Sequence, residues 1–304
     1  MQIICVGDLC CDLIVPYGKM RLALAHGHIS KEMAETLQVS MQCGGSVGNV
    51  ARHLGRMGAD PIFVTPLKRD PLGSFLASEM EKTGVDMKWA APSDKSNMYC
   101  VGVLDEGGER TMFCFVPPWA DFPKFKEDSF MKVPEFPGQI LFSSGMAILD
   151  DHENNAAVLS FFEDRKAAGA KIVFDLNVRA ESYGYEGERR SAMEKMISIS
   201  DILLGSGAEE FGQVTGTGDI RRAAGYLREL GAETVIARNG GESVLILGRE
   251  LDECIPVTPV TPVSTLGAGD SFDAKFLERI AAGEDIRTAV RKASDYAGKY
   301  ISGQ

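Results

Sequence analysis

The chain has 304 residues, of which 44% are hydrophobic and 25% are charged, as in soluble globular proteins and unlike disordered, collagenous or coiled-coil chains. Its 32 basic and 43 acidic side chains give a net charge of −11, which repels phosphate backbones and anionic membranes. We therefore expect neither nucleic acid nor a membrane to be a main partner. The longest charge-free run, residues 254–269, contains three prolines and is too short to span a bilayer.

The amino terminus and the cysteines predict a location. The first residues lack the basic start and the small-residue cleavage site of a signal peptide, and no two of the seven cysteines have Cys-x-x-Cys spacing. We interpret the cysteines as reduced thiols of a cytoplasmic protein.

The first half of the chain mixes short strands and helices. In order, the patterns predict strand 3–6, helix 22–37, helix 47–57, strand 61–66, helix 72–82, and extended stretches 98–104 and 110–116. The last two stretches are joined by Asp105-Glu106-Gly107-Gly108, which predicts a β-hairpin.

After a proline-rich stretch, residues 117–137, strands and helices alternate. The predicted strands are 139–143, 171–175, 201–204 and 234–237, and the predicted helices are 153–168, 189–197, 220–230 and 271–281. This alternation predicts a parallel sheet covered by helices on both faces. Because no interdomain linker interrupts the chain, we predict a single α/β domain over residues 1–304, with the hairpin region as an appendage.

The strongest chemical signal lies late in the chain, in Thr265-Leu266-Gly267-Ala268-Gly269-Asp270. A strand-like run, 257–263, precedes it, and a helix follows. Small residues at a helix start leave backbone N–H groups open to an anion, so Asp270 is an odd neighbour unless it takes a proton from a nucleophile that attacks a bound phosphate. The alternative is a plain helix start with an acidic first turn.

A second glycine-rich segment, Gly44-Gly45-Ser46-Val47-Gly48-Asn49, also precedes a helix. Its glycines allow a small ligand to approach the backbone, and Asn49 offers a donor and an acceptor. The same segment matches the nucleophile elbow of α/β-hydrolases, with Ser46 as nucleophile, but only His53 and His152 follow as possible bases.

Polar residues follow two predicted strands. Asp8 and Asp12 come after the first strand, where carboxylates can bind sugar hydroxyls or cap turns, and Asp175-Leu176-Asn177-Val178-Arg179 comes after a strand in the middle of the chain. Arg179 is either an anion clamp or a solvated side chain. Neither a P-loop nor a Gly-x-Gly-x-x-Gly motif is present.

Taken in order, Gly44-Gly45 with Asn49, Asp175-x-Asn177-x-Arg179, and Gly267-Ala268-Gly269-Asp270 resemble the PfkB (ribokinase-like) carbohydrate kinases over essentially the whole chain. The resemblance implies a Rossmann-like, mostly parallel central sheet flanked by helices, with a small β-sheet lid. We assign the lid to segments within about residues 12–40 and 96–118. It also implies an ATP-dependent sugar kinase that phosphorylates a primary hydroxyl, with Mg²⁺ bound to ATP and a possible homodimer formed through the lid.

The resemblance also implies site residues. Asp270 is similar to the catalytic base, with an anion hole at Gly267, Ala268 and Gly269. The implied sugar contacts are Asp12, Gly44, Gly45, Asn49 and Arg179. The implied nucleotide contacts are Ser206, Asn239, Gly240 and Thr265, and the implied metal residue is Glu209.

Three positions depart from the family pattern. Ser264 stands where an aspartate usually helps to bind a monovalent cation, so we expect little activation by potassium. Ser206 replaces an asparagine, and Ser243 replaces a glycine of the nucleotide loop. These changes keep two alternatives open: a non-catalytic protein of the same fold that binds a sugar or nucleoside, and a nucleoside kinase.

Overall fold

The computed structural model describes residues 1–25, 27, 29–106, 110–115 and 123–304. The predicted turn at Gly107-Gly108, the end of the predicted lid segment beyond residue 115 and the first part of the proline-rich stretch lie outside the described residues.

An eight-stranded sheet forms the centre of the protein. Its strands are β1 (Ile3–Val6), β4 (Ile62–Val64), β9 (Ile140–Ser144), β10 (Lys171–Asp175), β11 (Ile202–Ser206), β12 (Thr234–Asn239), β13 (Ser243–Leu247) and β14 (Asp252–Pro256). The order is β14-β13-β12-β11-β10-β9-β1-β4, and all pairings from β12 to β4 are parallel. The inner strands are nearly continuous apolar runs because both faces are covered.

Two layers of helices cover this sheet. The helices are α1 (Tyr17–Ala25), α2 (Lys31–Thr36), α3 (Ser46–Arg56), α4 (Pro71–Glu81), α5 (His152–Ala167), α6 (Ala180–Tyr183), α7 (Gly187–Ile199), α8 (Gly207–Thr215), α9 (Ile220–Glu229), α10 (Ala268–Ala281) and α11 (Ile286–Ser302). Helices α3, α4, α10 and α11 pack in one hydrophobic cluster, and α5, α7, α8 and α9 pack in the other. The predicted parallel sheet with helices on both faces is confirmed.

A second sheet stands apart from the first. It consists of β2 (Cys10–Val15), β3 (Ser40–Gly44), β7 (Met98–Leu104) and β8 (Arg110–Phe115), in the order β3-β2-β7-β8. Strands β7 and β8 form the predicted hairpin, and β2 pairs parallel to β7. We call these four strands the small sheet. A further parallel pair, β5 (Pro66–Leu67) and β6 (Ala91–Pro92), lies between β4 and β7 in the chain.

Two predicted elements were wrong. The helix predicted over 22–37 is two helices, because Ser30 caps α2 through an acceptor bond from the Met33 N–H, which starts a new helix there. The strand-like run 257–263 forms no strand, since Pro259 and Pro262 lack the N–H that a sheet requires, and the antiparallel edge strand β14 ends at Pro256. Among the described residues, no helix is both long and apolar enough to cross a bilayer.

Candidate active site

The carboxyl ends of the parallel strands collect the polar residues that the sequence singled out. Asp8 follows β1, Asn177 follows β10, Ser206 ends β11 and Asn239 ends β12. In parallel sheets these ends meet at one edge, where ligands bind. Hydrogen bonds of the Asp8 and Asn177 side chains join the amino-terminal end of α3 to this edge, and a hydrogen bond from the Arg238 side chain joins the start of α10 to it.

Asp270 lies at the centre of this edge, in the first turn of α10. The Asn49 Nδ2 atom donates to its Oδ2 atom at 2.9 Å, and the Ser46 hydroxyl donates to Oδ1 at 3.4 Å. Both donors belong to the first turn of α3, which packs against α10. The structure therefore brings Asn49, which was predicted as a sugar contact, to the carboxylate of Asp270.

The pKa of the Asp270 carboxyl lies well above its ordinary value. Burial raises its pKa from an ordinary value near 3.8 to about 7. The hydrogen bond from Asn49 opposes this shift, whereas the negative charges of Asp175 and Asp8 add to it. A carboxyl with a pKa near neutrality can accept a proton from a hydroxyl and remains partly ionised at physiological pH.

A buried arginine lies beneath Asp270. Arg238 directly precedes Asn239, a predicted nucleotide contact, but its guanidinium points inward, to Asp175 at 2.7 Å and to Asp273. It also donates to the carbonyl oxygen of Gly269 at 3.1 Å. Burial disfavours the charged guanidinium, but the nearby carboxylates outweigh burial and raise the pKa of Arg238. The side chain therefore anchors the start of α10 instead of facing a nucleotide.

Sequence reasoning missed Asp273, which pairs with Arg238 beside the start of α10. Burial raises the pKa of its carboxyl well above the usual range, although the charge of Arg238 opposes the shift. Its position one helical turn after Asp270 is a visible signal, because an acid at that spacing lies on the same helix face.

The predicted anion hole is partly formed. Gly267 precedes α10 with φ of +77°, a conformation that glycine adopts without strain. The N–H groups in the first turn of a helix have no partner within the helix. However, the Ala268 N–H donates to the Thr265 carbonyl oxygen at 3.2 Å. An incoming phosphoryl group would have to replace that bond.

The part of the site that was predicted to contact a sugar is built around Asp8 and the two glycines. The Asp8 carboxylate accepts the N–H groups of Ser46 at 2.8 Å and of Val47 at 3.1 Å, which fixes the turn into α3. Gly45 has φ of +99°, and a Cβ atom there would lie 2.7 Å from the Asp8 carbonyl oxygen. A Cβ atom on Gly44 would lie 2.6 Å from both carboxylate oxygens of Asp12. Asp8, Asp12 and the glycines therefore form one compact wall.

The segment after β10 contributes two further side chains, Asn177 and Arg179, to the site. Asn177 donates to the Ser46 hydroxyl at 2.6 Å and accepts a bond from the Nε atom of Arg179 at 2.8 Å. Asn177 and Arg179 both have positive φ, +31° and +46°, which non-glycine residues adopt at a cost and which is frequent at functional sites. Arg179 is exposed at the site, close enough to Asp8 to lower the pKa of that carboxyl against the larger effect of burial.

The predicted nucleotide side is more open. Ser206, Gly240 and Thr265 are exposed, and the Asn239 side chain donates to Glu242 at 2.8 Å. Glu209 is exposed in the first turn of α8, while the next residue, Glu210, faces inward.

Glu210 was missed by sequence reasoning. Its carboxylate accepts the backbone N–H groups of Ser206 at 2.6 Å and Val178 at 3.1 Å, so it ties the end of β11 to the segment after β10. Burial raises its pKa to about 7, with Asp175 adding to the shift. Because its carboxylate oxygens already accept two backbone N–H groups, Glu210 has a structural role at the site.

The hydrolase interpretation is wrong. The Ser46 hydroxyl is held by Asn177 and Asp270. His53 is buried two helical turns away, with its Nδ1 atom 3.2 Å from the Tyr296 hydroxyl. The other described histidine, His152, is exposed beside Glu188. No described histidine can therefore act as the base for Ser46.

A cavity of about 370 Å³ is lined by Asp8 and not by Asp270. Most of its wall is apolar. The lining includes Leu9, Pro66, Met98, Phe125, Met146, Ile148 and Leu149. Its cations are already engaged, since Lys124 pairs with Asp151 and Arg189 donates to backbone carbonyl oxygens, among them Ile148 and Val178. This volume is in the range of small-molecule sites.

Comparisons with known proteins agree with this geometry. Residues 2–303 match the family described as pfkB family carbohydrate kinase. An aminoimidazole riboside kinase from Salmonella typhimurium is 29% identical over 230 residues, which cover 75% of this chain and 70% of that protein. A fructokinase from Klebsiella pneumoniae is 30% identical over 246 residues, which cover 80% of this chain and 78% of that protein.

A solved structure, that of aminoimidazole riboside kinase from Salmonella enterica, covers 100% of this chain and 94% of its own, with a TM-score of 0.81 and 21% identity. At this identity the likeness concerns the fold, and it confirms the fold that the sequence motifs implied.

Proposed function

The chain belongs to the PfkB family of carbohydrate kinases, and we propose that it transfers the γ-phosphoryl group of ATP to a primary hydroxyl of a sugar or a sugar-containing acceptor. The observation that carries this proposal is Asp270: a half-buried carboxyl with a pKa of about 7, placed at the first turn of a helix whose N–H groups suit a phosphoryl group.

In the proposed reaction, the Asp270 carboxylate removes the proton of the acceptor hydroxyl as that oxygen attacks the γ-phosphorus. Asn49 and Ser46 orient the carboxylate through the hydrogen bonds described above. The N–H groups of Gly267, Ala268 and Gly269 stabilise the charge on the transferred group. Ser206, Asn239, Gly240 and Thr265 remain the proposed contacts for ATP.

The residues beside the nucleotide side fit Mg²⁺, which prefers oxygen ligands and keeps several waters. Glu209 and the Ser206 hydroxyl are exposed oxygen donors on neighbouring turns, whereas Glu210 is occupied by amides. Mg²⁺ bound with ATP supplies neutralisation of the phosphate charge. We propose Glu209 as its carboxylate.

On the acceptor side, we propose that Asp12, Gly44, Gly45 and Arg179 hold the sugar. Two carboxylates, Asp8 and Asp12, suit hydroxyl donors. The apolar cavity beyond Asp8 offers more room than a monosaccharide needs, which favours an acceptor with a ring attached to its sugar. A riboside is therefore the second candidate, so that the enzyme would be a nucleoside kinase.

A coupled assay of ADP release over a panel of sugars, sugar acids and ribosides tests this function. We expect release with at least one neutral sugar or riboside. Acceptors that stabilise the protein in thermal unfolding without any ADP release would instead support the non-catalytic alternative that Ser206, Ser243 and Ser264 keep open. At 100 times its Kd, a ligand stabilises by about 2.7 kcal/mol, which such a screen detects.

We also propose that the small sheet closes over the acceptor and that two copies pair through it in the cytoplasm. Exposed large apolar side chains occur on the small sheet and on the segments joined to it, with Met41 on β3, Val39 just before it and Leu24 on α1, and β3 is an edge strand. Sedimentation equilibrium measures the mass directly. A monomer at all concentrations would contradict the dimer and leave the kinase proposal intact.

A further inference from the structure

A cluster of soft and hard metal ligands lies on one face of the small sheet. Strands β2 and β7 run parallel, with Asp12 opposite Cys100 and Cys10 opposite Met98. Side chains two apart in a strand share a face, so Cys10, Asp12 and Cys100 point the same way. Their Sγ, carboxylate and Sγ atoms all lie within 4.8 Å of one another, and the Cys10 thiol donates to Asp12 Oδ1 at 3.4 Å.

This face differs from the other side of the same sheet. Cys11 and Cys43 point in the opposite direction and pack in the hydrophobic cluster with Leu76, as core residues do. Cys10 and Cys100 are also buried, each 5% exposed, but they belong to neither hydrophobic cluster and lie beside a carboxylate. Two thiols next to a carboxylate make a polar site within a buried surface.

The spacing suits a metal ion better than a disulfide. Adjacent strands lie about 4.8 Å apart and rise about 3.3 Å per residue, so the Cα atoms of Cys10 and Cys100, two residues out of register, are about 8 Å apart, whereas a disulfide needs about 4.4–6.8 Å. Zinc–sulfur bonds of about 2.3 Å and zinc–oxygen bonds of about 2.0–2.2 Å place tetrahedral ligand atoms about 3.5–3.8 Å from one another. The three ligand atoms already lie within 4.8 Å of one another, so small rotations of the side chains bring them to these distances.

We propose that Cys10, Asp12 and Cys100 form a binding site for a thiophilic divalent cation of the Zn²⁺ class, and that an ion bound there competes with the acceptor. On binding, each thiol releases its proton to solvent and the three side chains leave a fourth position open. Competition rests on the proposed function, because the ion takes the carboxylate of Asp12 away from the acceptor.

Cd²⁺ titration of the whole protein, without ATP or acceptor, tests the site alone. Thiolate ligation gives an ultraviolet charge-transfer band that rises to saturation at one ion per chain. Groups that only support a metal ligand are worth about 10–100-fold in affinity, so losing a ligand in Cys100→Ser or Cys10→Ser should weaken Cd²⁺ binding by about 100-fold or more. Cys254→Ser removes an exposed thiol on β14 and is the matched control, with unchanged affinity.

Circular dichroism and thermal unfolding establish that each serine variant folds, and agreement between the two variants guards against a defect in one. A Cd²⁺ affinity in both variants equal to that of the unchanged protein would overturn the site. So would loss of the band in Cys254→Ser alone.

Kinetics with Zn²⁺ at fixed Mg²⁺ and ATP test the competition. We expect Zn²⁺ to raise the KM for the acceptor without lowering kcat, and Cys100→Ser to shift the inhibitory concentration upward by about 100-fold, as for binding. Inhibition of Cys100→Ser at the same Zn²⁺ concentration would show that zinc acts through ATP and would overturn the competition. If no acceptor is phosphorylated, the proposed function fails while the Cd²⁺ titration still decides the site.

Discussion

Asp270 combines two properties, the ability to accept a proton and a negative charge in a half-buried place, and Asp270→Asn removes both. Asp270→Asn keeps the size of the side chain and one of its two acceptor atoms, which Asn49 or Ser46 can still use, but it cannot act as a base. We expect kcat to fall by about 10²–10⁴-fold, while Kd for the acceptor changes little. Steady-state kinetics and a binding titration measure the two quantities. Near-normal kcat would leave Asp270 as a residue that only starts a helix.

The same variant should change the pH dependence of stability. The folded protein holds a proton on Asp270 up to about pH 7, whereas the unfolded chain releases it near 3.8. The folded state binds more protons in this window, so stability from this group is full below about pH 4 and is lost as pH rises toward 7. Asp270→Asn should therefore stabilise the protein at pH 8, by about 1–3 kcal/mol after loss of the favourable helix-end interaction.

Denaturant unfolding of both proteins at pH 5 and pH 8 gives this difference. The gain should be larger at pH 8. An equal gain at both pH values would show that the carboxyl of Asp270 has an ordinary pKa.

Ser264 carries a prediction about monovalent cations. Its hydroxyl accepts a bond from the Leu266 N–H at 3.3 Å and carries no charge where the related kinases have a carboxylate. Carbonyl oxygens alone hold a weakly bound cation poorly, so potassium should raise kcat by less than about twofold. Turnover is compared in potassium-free and sodium-free buffer and after potassium is added at constant ionic strength. A large, saturable activation would contradict this expectation. If native activation is small, Ser264→Asp should increase it.

At the scale of elements, the sequence predicted what periodicity and strand ends determine. The parallel strands are apolar runs, and their carboxyl ends carry Asp8 and Asn177, so the edge with the site could be located. Tertiary contacts decided the rest. Glu209 and Glu210 are adjacent acids, and only the folded helix shows that Glu210 faces inward. Likewise, no local sequence pattern shows that Arg238 is buried and pairs with Asp175 and Asp273.

Gly44, where β3 leads into α3, allows a test of whether Asp12 binds the acceptor. A Cβ atom at Gly44 would displace the flexible end of the Asp12 side chain and not the backbone. Gly44→Ala should therefore raise the acceptor KM by about 10- to 100-fold, the worth of one hydrogen bond to a charged group, with a smaller effect on kcat. Gly225→Ala on α9, where a Cβ atom meets nothing within 4 Å, is the matched control.

Steady-state kinetics with varied acceptor compare the two alanine variants, and thermal unfolding verifies their folding. The control should keep its KM and gain up to about 1 kcal/mol of stability, since alanine favours helix. An unchanged KM in Gly44→Ala would remove Asp12 from the acceptor site.

For the whole molecule, the net charge of −11 opposes the approach of ATP, which carries negative charge even with a bound divalent ion. The site must therefore bind the phosphates through local groups, such as the N–H groups at the start of α10, against a repulsive long-range field. Salt screens that field: the Debye length falls from about 30 Å at 0.01 M to about 10 Å at 0.1 M ionic strength.

Increasing the ionic strength over this range should consequently raise kcat/KM for ATP, by about twofold to tenfold. Tetramethylammonium chloride supplies the ions without a potassium effect, at constant free Mg²⁺. A neutral sugar feels no long-range force, so its kcat/KM at saturating ATP should stay constant and serves as the internal control. A fall of kcat/KM for ATP with salt would mean that cations near the nucleotide outweigh the charge of the whole chain.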